Sequence, residues 1–146
     1  MSSSIDRETM VAALSEAQRS VEVITKAGIT ELMAFRQPPL SVIYVFEGLT
    51  VLLVPSRRMS DWNEIRKWLG SQVNQLINML INLDKDLITD EQLTNLKSIL
   101  ARPECEPERV KRCSLAAYQL CQFLHGVVAS VTFQRQYQQT INEPSS

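Results

Sequence analysis

Residues 29–53 read ITELMAFRQPPLSVIYVFEGLTVLL. Before the paired prolines Pro38 and Pro39 the pattern is amphipathic, and after them it is apolar almost all round. Proline lacks an N–H and pushes the residue before it out of the α region. One helix is therefore predicted to end near Arg36–Gln37. A second begins with Pro39 in its first turn, where no N–H is missed. A helix as apolar as 40–54 belongs inside a bundle, although its β-branched residues would also suit a strand.

Upstream, Met10, Leu14, Ala17, Val21 and Ile24 form a heptad seam. Glu8, Glu16, Arg19, Glu22 and Lys26 fill the other face. The seam stumbles at Gly28 and resumes on a shifted phase with Ile29, Leu32 and Phe35, which predicts one helix over 5–36. Downstream, PSRRMSD (55–61) is a loop whose Ser60 or Asp61 caps a helix through about Leu69. Residues 72–83 give an apolar-rich helix with Val73, Leu76, Ile77, Leu80 and Ile81. After the polar LDKDLITD, Thr89 and Gln92 have capping-box spacing for a helix over 90–101. RPECEPE (102–108) is a loop. A last long helix runs from about Pro107 to about Thr140, with the seam Val110, Cys113, Ala117, Leu120, Leu124, Val127 and Val131.

Two long helices with one apolar stripe each need partners. The expected fold is all-α: an antiparallel two-helix coiled coil capped by a small bundle of short helices. Residues 1–37 form the first coil helix and 38–108 the cap. Residues 109–141 form the last cap helix running into the second coil helix, and 142–146 a tail. Pro38 and Pro39 mark the joint where the chain turns from coil to cap.

The bulk numbers agree. The chain has 146 residues, 45% of them apolar, enough for one domain with a core. Four glycines and 6% aromatic residues argue against an all-β fold. A net charge of −1 gives no global attraction to nucleic acid or to an anionic membrane, and neither partner is expected. The longest apolar run, around Leu49–Val54, is too short to span a bilayer, and MSSSIDRE is followed by no signal-peptide core. Three cysteines at no metal-ligand spacing (Cys105, Cys113, Cys121) suggest a reducing compartment. Cys121 and His125 stand at i, i+4, but no carboxylate or second histidine completes a metal site. Gly48 and Gly70 sit in no phosphate-cradling motif, and the one histidine lacks a nucleophile with an orienting acid. No cofactor and no catalysis are expected. Trp62, Trp68, Phe46 and Tyr44 read as core aromatics.

These words in this order resemble the stalk tip of dynein heavy chains, the microtubule-binding domain with the ends of its coiled coil. The stretch 29–53 is similar to the family's end of the first coil, paired prolines and first tip helix. SDWNEIRKWLG, with Trp62, resembles the family's D-W before a short helix. INLDKDLIT (81–89) resembles its F-D-K-D-x-I stretch, closer to axonemal members than to the cytoplasmic motor. RVKRCSLAAYQLCQFL (109–124) resembles the start of the second coil. The resemblance spans about residues 14–125. It implies a non-catalytic tip that binds the microtubule (tubulin) and couples affinity to coil register. The rest of a motor heavy chain would join through the coil, and the motor's ATPase ring lies elsewhere. It implies a place in the cytoplasm on the cytoskeleton, with the ciliary axoneme as a candidate.

By resemblance Arg112 falls on a filament-contacting arginine and Glu108 on an acidic residue that tempers affinity. Arg109 and Lys111 share that helix end, and the loop pair Arg57 and Arg58 are further candidate contacts. Arg66 and Lys67 read as solvated helix charges. The chain departs from the family at Ile43, where many relatives carry lysine, around Leu93, and at Phe123, which stands for a tryptophan. The alternative reading is an interaction or scaffold module that kept the fold and lost filament binding.

Overall fold

A computed structural model describes residues 8, 11, 12, 15, 19, 21–24, 26–56 and 59–142. The described residues contain no strand, and Leu40–Leu53 of the expected 40–54 is helix. Among the described residues from Lys26 onward, seven α-helices follow one another: α1 Lys26–Met33, α2 Leu40–Leu53, α3 Trp62–Gln72, α4 Leu76–Ile81, α5 Asp90–Leu100, α6 Pro107–Cys113 and α7 Leu115–Asn142. Short 3-10 turns occupy Lys85–Leu87 and Pro103–Cys105.

The centre is α2. Val42, Val45, Phe46 and Leu49 are fully buried, and α3, α5, α6 and α7 pack round the helix. At Gly48 the neighbours come so close that a Cβ would lie 3.0 Å from Leu124 Cδ1 and 3.1 Å from Leu96 Cδ1. A glycine here lets three helices converge. Gly70 on α3 is the opposite case, since a Cβ there would meet nothing within 4 Å. Gly70→Ala should therefore raise stability by about 0.5–1 kcal/mol, because alanine costs less backbone entropy in a helix. Urea unfolding checks it, and a loss of stability would contradict it.

The expected caps form where the side chains allow. Asp61 accepts from Glu64 N–H at 3.3 Å and starts α3. Thr89 and Gln92 make both bonds of the capping box, 3.1 and 2.8 Å, at the head of α5. The polar connection is organised by Asp84, which accepts from Asp86 N–H at 3.0 Å. The helix expected over 72–83 is shorter: Gln72 ends α3, Val73–Gln75 form a turn, and Leu76–Ile81 is the helix.

Three expectations about long elements need correction. The single helix over 5–36 breaks at Val23–Ile24, where Ile24 N–H bonds to Val21 C=O in a tightened turn. Val21, Val23, Ile24 and Thr25 put four β-branched residues in five positions, and their restricted χ1 disfavours helix. Gly28, where the seam was expected to stumble, lies inside α1. That helix ends at Met33, not near Arg36–Gln37. Pro39 stands one residue before α2 as its N-cap, with φ −57° and ψ 153°, rather than in the first turn. The last helix, expected unbroken over 107–140, is two helices. Ser114 is extended (φ −168°, ψ 132°), and its Oγ accepts from Ala117 N–H at 3.2 Å to cap α7.

The seams survive these breaks. Val21, Ile24, Ile29 and Leu32 are buried, and α1 packs against α7. Val110, Ala117, Leu120, Leu124, Val127 and Val131 are buried along α6 and α7. Met10, Leu14 and Ala17 of the first seam, Glu16 of its polar face and residues 143–146 of the tail lie outside the described residues. No described helix is long and apolar enough to cross a membrane.

Candidate functional site

Arg109, Lys111, Arg112 and Glu108 share the short helix α6 and are exposed. The break at Ser114 gives α6 a direction of its own, so the cations are not simply the first turn of a coil helix. Lys111 Nζ lies 5.2 Å from the Tyr118 ring centroid, a contact across that break. Arg109 and Arg112 line a groove of about 410 Å³ with Pro39, Leu40 and Ser41 of the joint and Glu104. The structure thus brings the arginines of residues 109–112 to the coil–cap joint, two features separated by about 70 positions in the sequence. Arg57 and Arg58 lie outside the described residues. Arg66 and Lys67 are exposed on α3.

What holds α6 in place is a cluster that sequence reasoning did not pick out. Glu47 is a lone acid in the apolar α2 and is only 3% exposed. Arg102, immediately before the turn Pro103–Cys105, donates from Nη1 to Glu47 Oε1 at 2.9 Å. Its Cζ lies 4.3 Å from the Tyr44 ring centroid. Burial alone would lower the Arg102 pKa, but the hydrogen bond and charge of Glu47, aided by Tyr44 and Cys105, carry it above the usual arginine value. On the far side of the same turn, the Cys105 carbonyl accepts from Cys121 Sγ at 3.3 Å and has His125 Nε2 at 3.3 Å. The turn is therefore tied to α2 at one end and to α7 at the other, and α6 begins two residues after it.

This also explains the i, i+4 pair Cys121 and His125. Both side chains are turned to one carbonyl instead of to a shared ligand. Burial pushes the Cys105 thiol up to about 11, a rise opposed in part by Arg102. Burial, with Cys105 nearby, pushes Cys121 up to about 12. Neither is a thiolate near neutral pH, the form a nucleophile or metal ligand requires. Among the described residues no cluster of three metal-ligating side chains occurs.

The joint is anchored to the cap. Pro38 is buried, and the Trp62 indole donates to the Phe35 carbonyl at 3.0 Å, fastening the link to α3. Trp62 and Phe46 are buried, with ring centroids 5.8 Å apart, while Trp68 and Tyr44 are half-buried. Of the departures noted in the sequence, Ile43 is half-buried against the core, and Leu93 and Phe123 are buried in it. Arg135, well along α7, is not a free surface charge. It donates to Asp90 Oδ1 at 2.7 Å and to the Ile88 carbonyl.

Comparison with known proteins fits this architecture. A family model described as the microtubule-binding stalk of dynein motor matches residues 4–141. Dynein axonemal heavy chain 2 of Homo sapiens is 34% identical over 122 residues, 84% of this chain. The ciliary dynein beta chain of Tripneustes gratilla is 35% identical over 119 residues, 80% of this chain. The chain spans about 3% of the length of these two relatives. A solved structure described as the microtubule binding domain of dynein-C shares the fold, with a TM-score of 0.76 at 21% identity over 97% of this chain and 99% of that one. The chain belongs to the microtubule-binding stalk family of dynein motors.

Proposed function

We propose that this domain binds the acidic surface of the microtubule through α6 and the adjoining start of α2, and that its role is binding and signalling rather than catalysis. The observation that carries the reading is the set Arg109, Lys111 and Arg112, exposed on a short helix that is broken from the coil and held at the joint. Arg112 and Arg109 make the main contacts, Lys111 adds charge beside Tyr118, and Glu108 tempers the affinity. Arg57 and Arg58 are candidate secondary contacts. The coil joins the domain to a longer motor chain, and coil register sets the affinity of the tip through Pro38 and Pro39. The work place is the cytoskeleton, with the ciliary axoneme suggested by the relatives' names.

Co-sedimentation with microtubules over a salt series tests this reading. Binding should weaken steeply as salt rises, since exposed charges are screened beyond about 10 Å at 0.1 M. Arg112→Glu removes one exposed attraction and adds a repulsion, each of up to about 1 kcal/mol, so affinity should fall about fivefold. Lys26→Glu makes the same charge change at the start of α1 and should leave affinity nearly unchanged. Arg135→Glu is unsuitable as that control, because it would break the contacts to Asp90 and Ile88. Equal effects of the Arg112 and Lys26 variants would show that overall charge governs binding. Absence of binding at every salt concentration would favour a scaffold module, the reading that Ile43 motivates.

A further inference from the structure

Ser114 is the single residue between α6 and α7, and its backbone is extended, with φ −168° and ψ 132°. It is half-buried at a groove that Leu115, Ala116 and Gln119 also line. Leu115, the next residue, is 61% exposed. A serine whose main chain is paired inside a helix cannot lie extended in an enzyme cleft. Ser114 already has that backbone.

The side chains before it complete a pattern. Lys111 and Arg112 stand three and two positions ahead of the hydroxyl, and both are exposed. The run Lys111, Arg112, Cys113, Ser114, Leu115 is two cations, a spacer, a hydroxyl and an apolar residue. That order is complementary to a serine kinase cleft with carboxylates for the residues before the hydroxyl and an apolar pocket for the one after it. The seven residues of α6 make about two turns. A helix so short is marginal by itself, and unwinding its last turn presents 111–115 as one extended segment.

The fold also has a place for the product. The Ser114 hydroxyl caps α7, accepting from Ala117 N–H at 3.2 Å. A phosphoryl group there would meet the first N–H groups of a 28-residue helix, which have no acceptor within it, at the end where the dipole favours negative charge. Lys111 Nζ, over the Tyr118 ring at 5.2 Å, already carries a cation across the break. Glu31 is the one carboxylate lining the groove and opposes it.

We propose that Ser114 is a phosphorylation site for a kinase that selects basic residues before the hydroxyl, and that the modification turns filament binding down. Ser114 Oγ attacks the γ-phosphorus of a nucleoside triphosphate. The Oγ–P bond forms as the bond to the bridging oxygen breaks, the nucleoside diphosphate leaves with that electron pair, and the hydroxyl proton passes to a base of the kinase. The regulatory half rests on the filament-binding reading above. On α6, Arg109, Lys111 and Arg112 stand against Glu108, a formal excess of two positive charges. One phosphoserine, at about −1.5 to −2, cancels that excess without removing a contact residue.

The test uses the whole chain with Ser60→Ala, because Ser60 follows Arg57 and Arg58 at the same spacing. It is incubated with MgATP and the catalytic subunit of cyclic-AMP-dependent kinase. Mass spectrometry should place one phosphoryl group on Ser114, and Arg112→Gln should lower kcat/KM for the transfer at least tenfold. The phosphorylated chain should bind microtubules about tenfold more weakly at low salt, with a Tm no lower than before. Two variants separate charge from capping. Ser114→Asp should weaken binding about threefold, while Ser114→Asn, also a good N-cap but neutral, should bind like the parent. No incorporation at Ser114, or a transfer rate indifferent to Arg112→Gln, would overturn the site. Equal binding by the phosphorylated and parent chains, or equal losses in the Asp and Asn variants, would overturn the regulation. If Ser114 is phosphorylated but the parent never sediments with microtubules, the site stands and the filament reading falls.

Discussion

Replacing Arg102 by methionine should lower the unfolding free energy by about 3 kcal/mol, the cost of leaving one member of a buried ion pair behind. Glu47 is the member left behind, within an apolar helix and 3% exposed. Methionine keeps much of the apolar stem over Tyr44, so the loss comes mainly from the missing charge and its hydrogen bond. Arg102 is partly exposed, 31% at the side chain, and Glu47 keeps other interactions, which together hold the cost to the lower end of the range for buried pairs. The double variant Arg102→Met with Glu47→Leu should recover most of the loss, because apolar residues of similar size replace a buried pair at little cost. Urea unfolding of the parent, both single variants and the double variant gives the coupling directly. A cost below about 1 kcal/mol for Arg102→Met would show that water, and not Arg102, compensates Glu47.

The pair has a second consequence. Arg102 leads straight into the turn Pro103–Cys105 and so into α6. Loosening it frees one of the two ties that set the pose of Arg109 and Arg112. The Arg102→Met chain should therefore lose microtubule affinity even at temperatures where it is fully folded, a readout that a loss of stability alone would not move.

Much of this fold was legible because local rules and long-range packing agreed. Thr89 with Gln92, Asp61 and the paired prolines each announce an element boundary by short-range chemistry, and the seam from Val110 to Val131 announces the buried face of α6 and α7. The last helix was read as continuous because its apolar periodicity runs unbroken across Ser114. Periodicity records which face is buried and is blind to a one-residue interruption that preserves that face. Ser114 is a residue type that favours an N-cap, but a single serine does not stand out inside so regular a seam. The break at Val23–Ile24 was missed for the same reason, although the β-branched run was in plain view. Glu47 was the clearest unread sign. A lone carboxylate in LSVIYVFEGLTVLL demands a partner, but the partner stands 55 positions away in what reads as a loop. Nothing in one sequence connects the two. The cations of α6 stand together in the sequence, whereas their meeting with Leu40 and Ser41 depends on how α6 turns back on α2, which only packing decides.

The coil should carry two tip affinities, one for each register of its helices, differing by between about fivefold and a hundredfold, the usual span of a coupling between sites. The interface that would have to slide is built for loose specification. Ala27 and Gly28 of α1 face Cys113 and Ala116 across a groove of about 500 Å³, and small side chains fix register weakly. Sliding is useful only if the cap receives it. The expected route is the link 34–39, which holds two prolines and the Trp62–Phe35 bond. It would deliver the motion to α2, whose Val42, Val45 and Leu49 are fully buried, as are Ala117 and Leu120 on α7, with which α2 packs. Well-packed helices move between discrete arrangements rather than along a continuum. The test is to trap each register with an engineered disulfide, pairing a cysteine at Val21 with partners half a heptad apart on the 120–128 face. Cys105, Cys113 and Cys121 are first replaced by alanine. Replacing Pro38 by glycine, or Trp62 by phenylalanine, should narrow the difference between the trapped forms, because each change softens the link without altering a residue that lines the groove of Arg109 and Arg112. Equal microtubule affinity in both trapped registers would mean that the coil only holds the tip, and that the stiff joint serves folding alone.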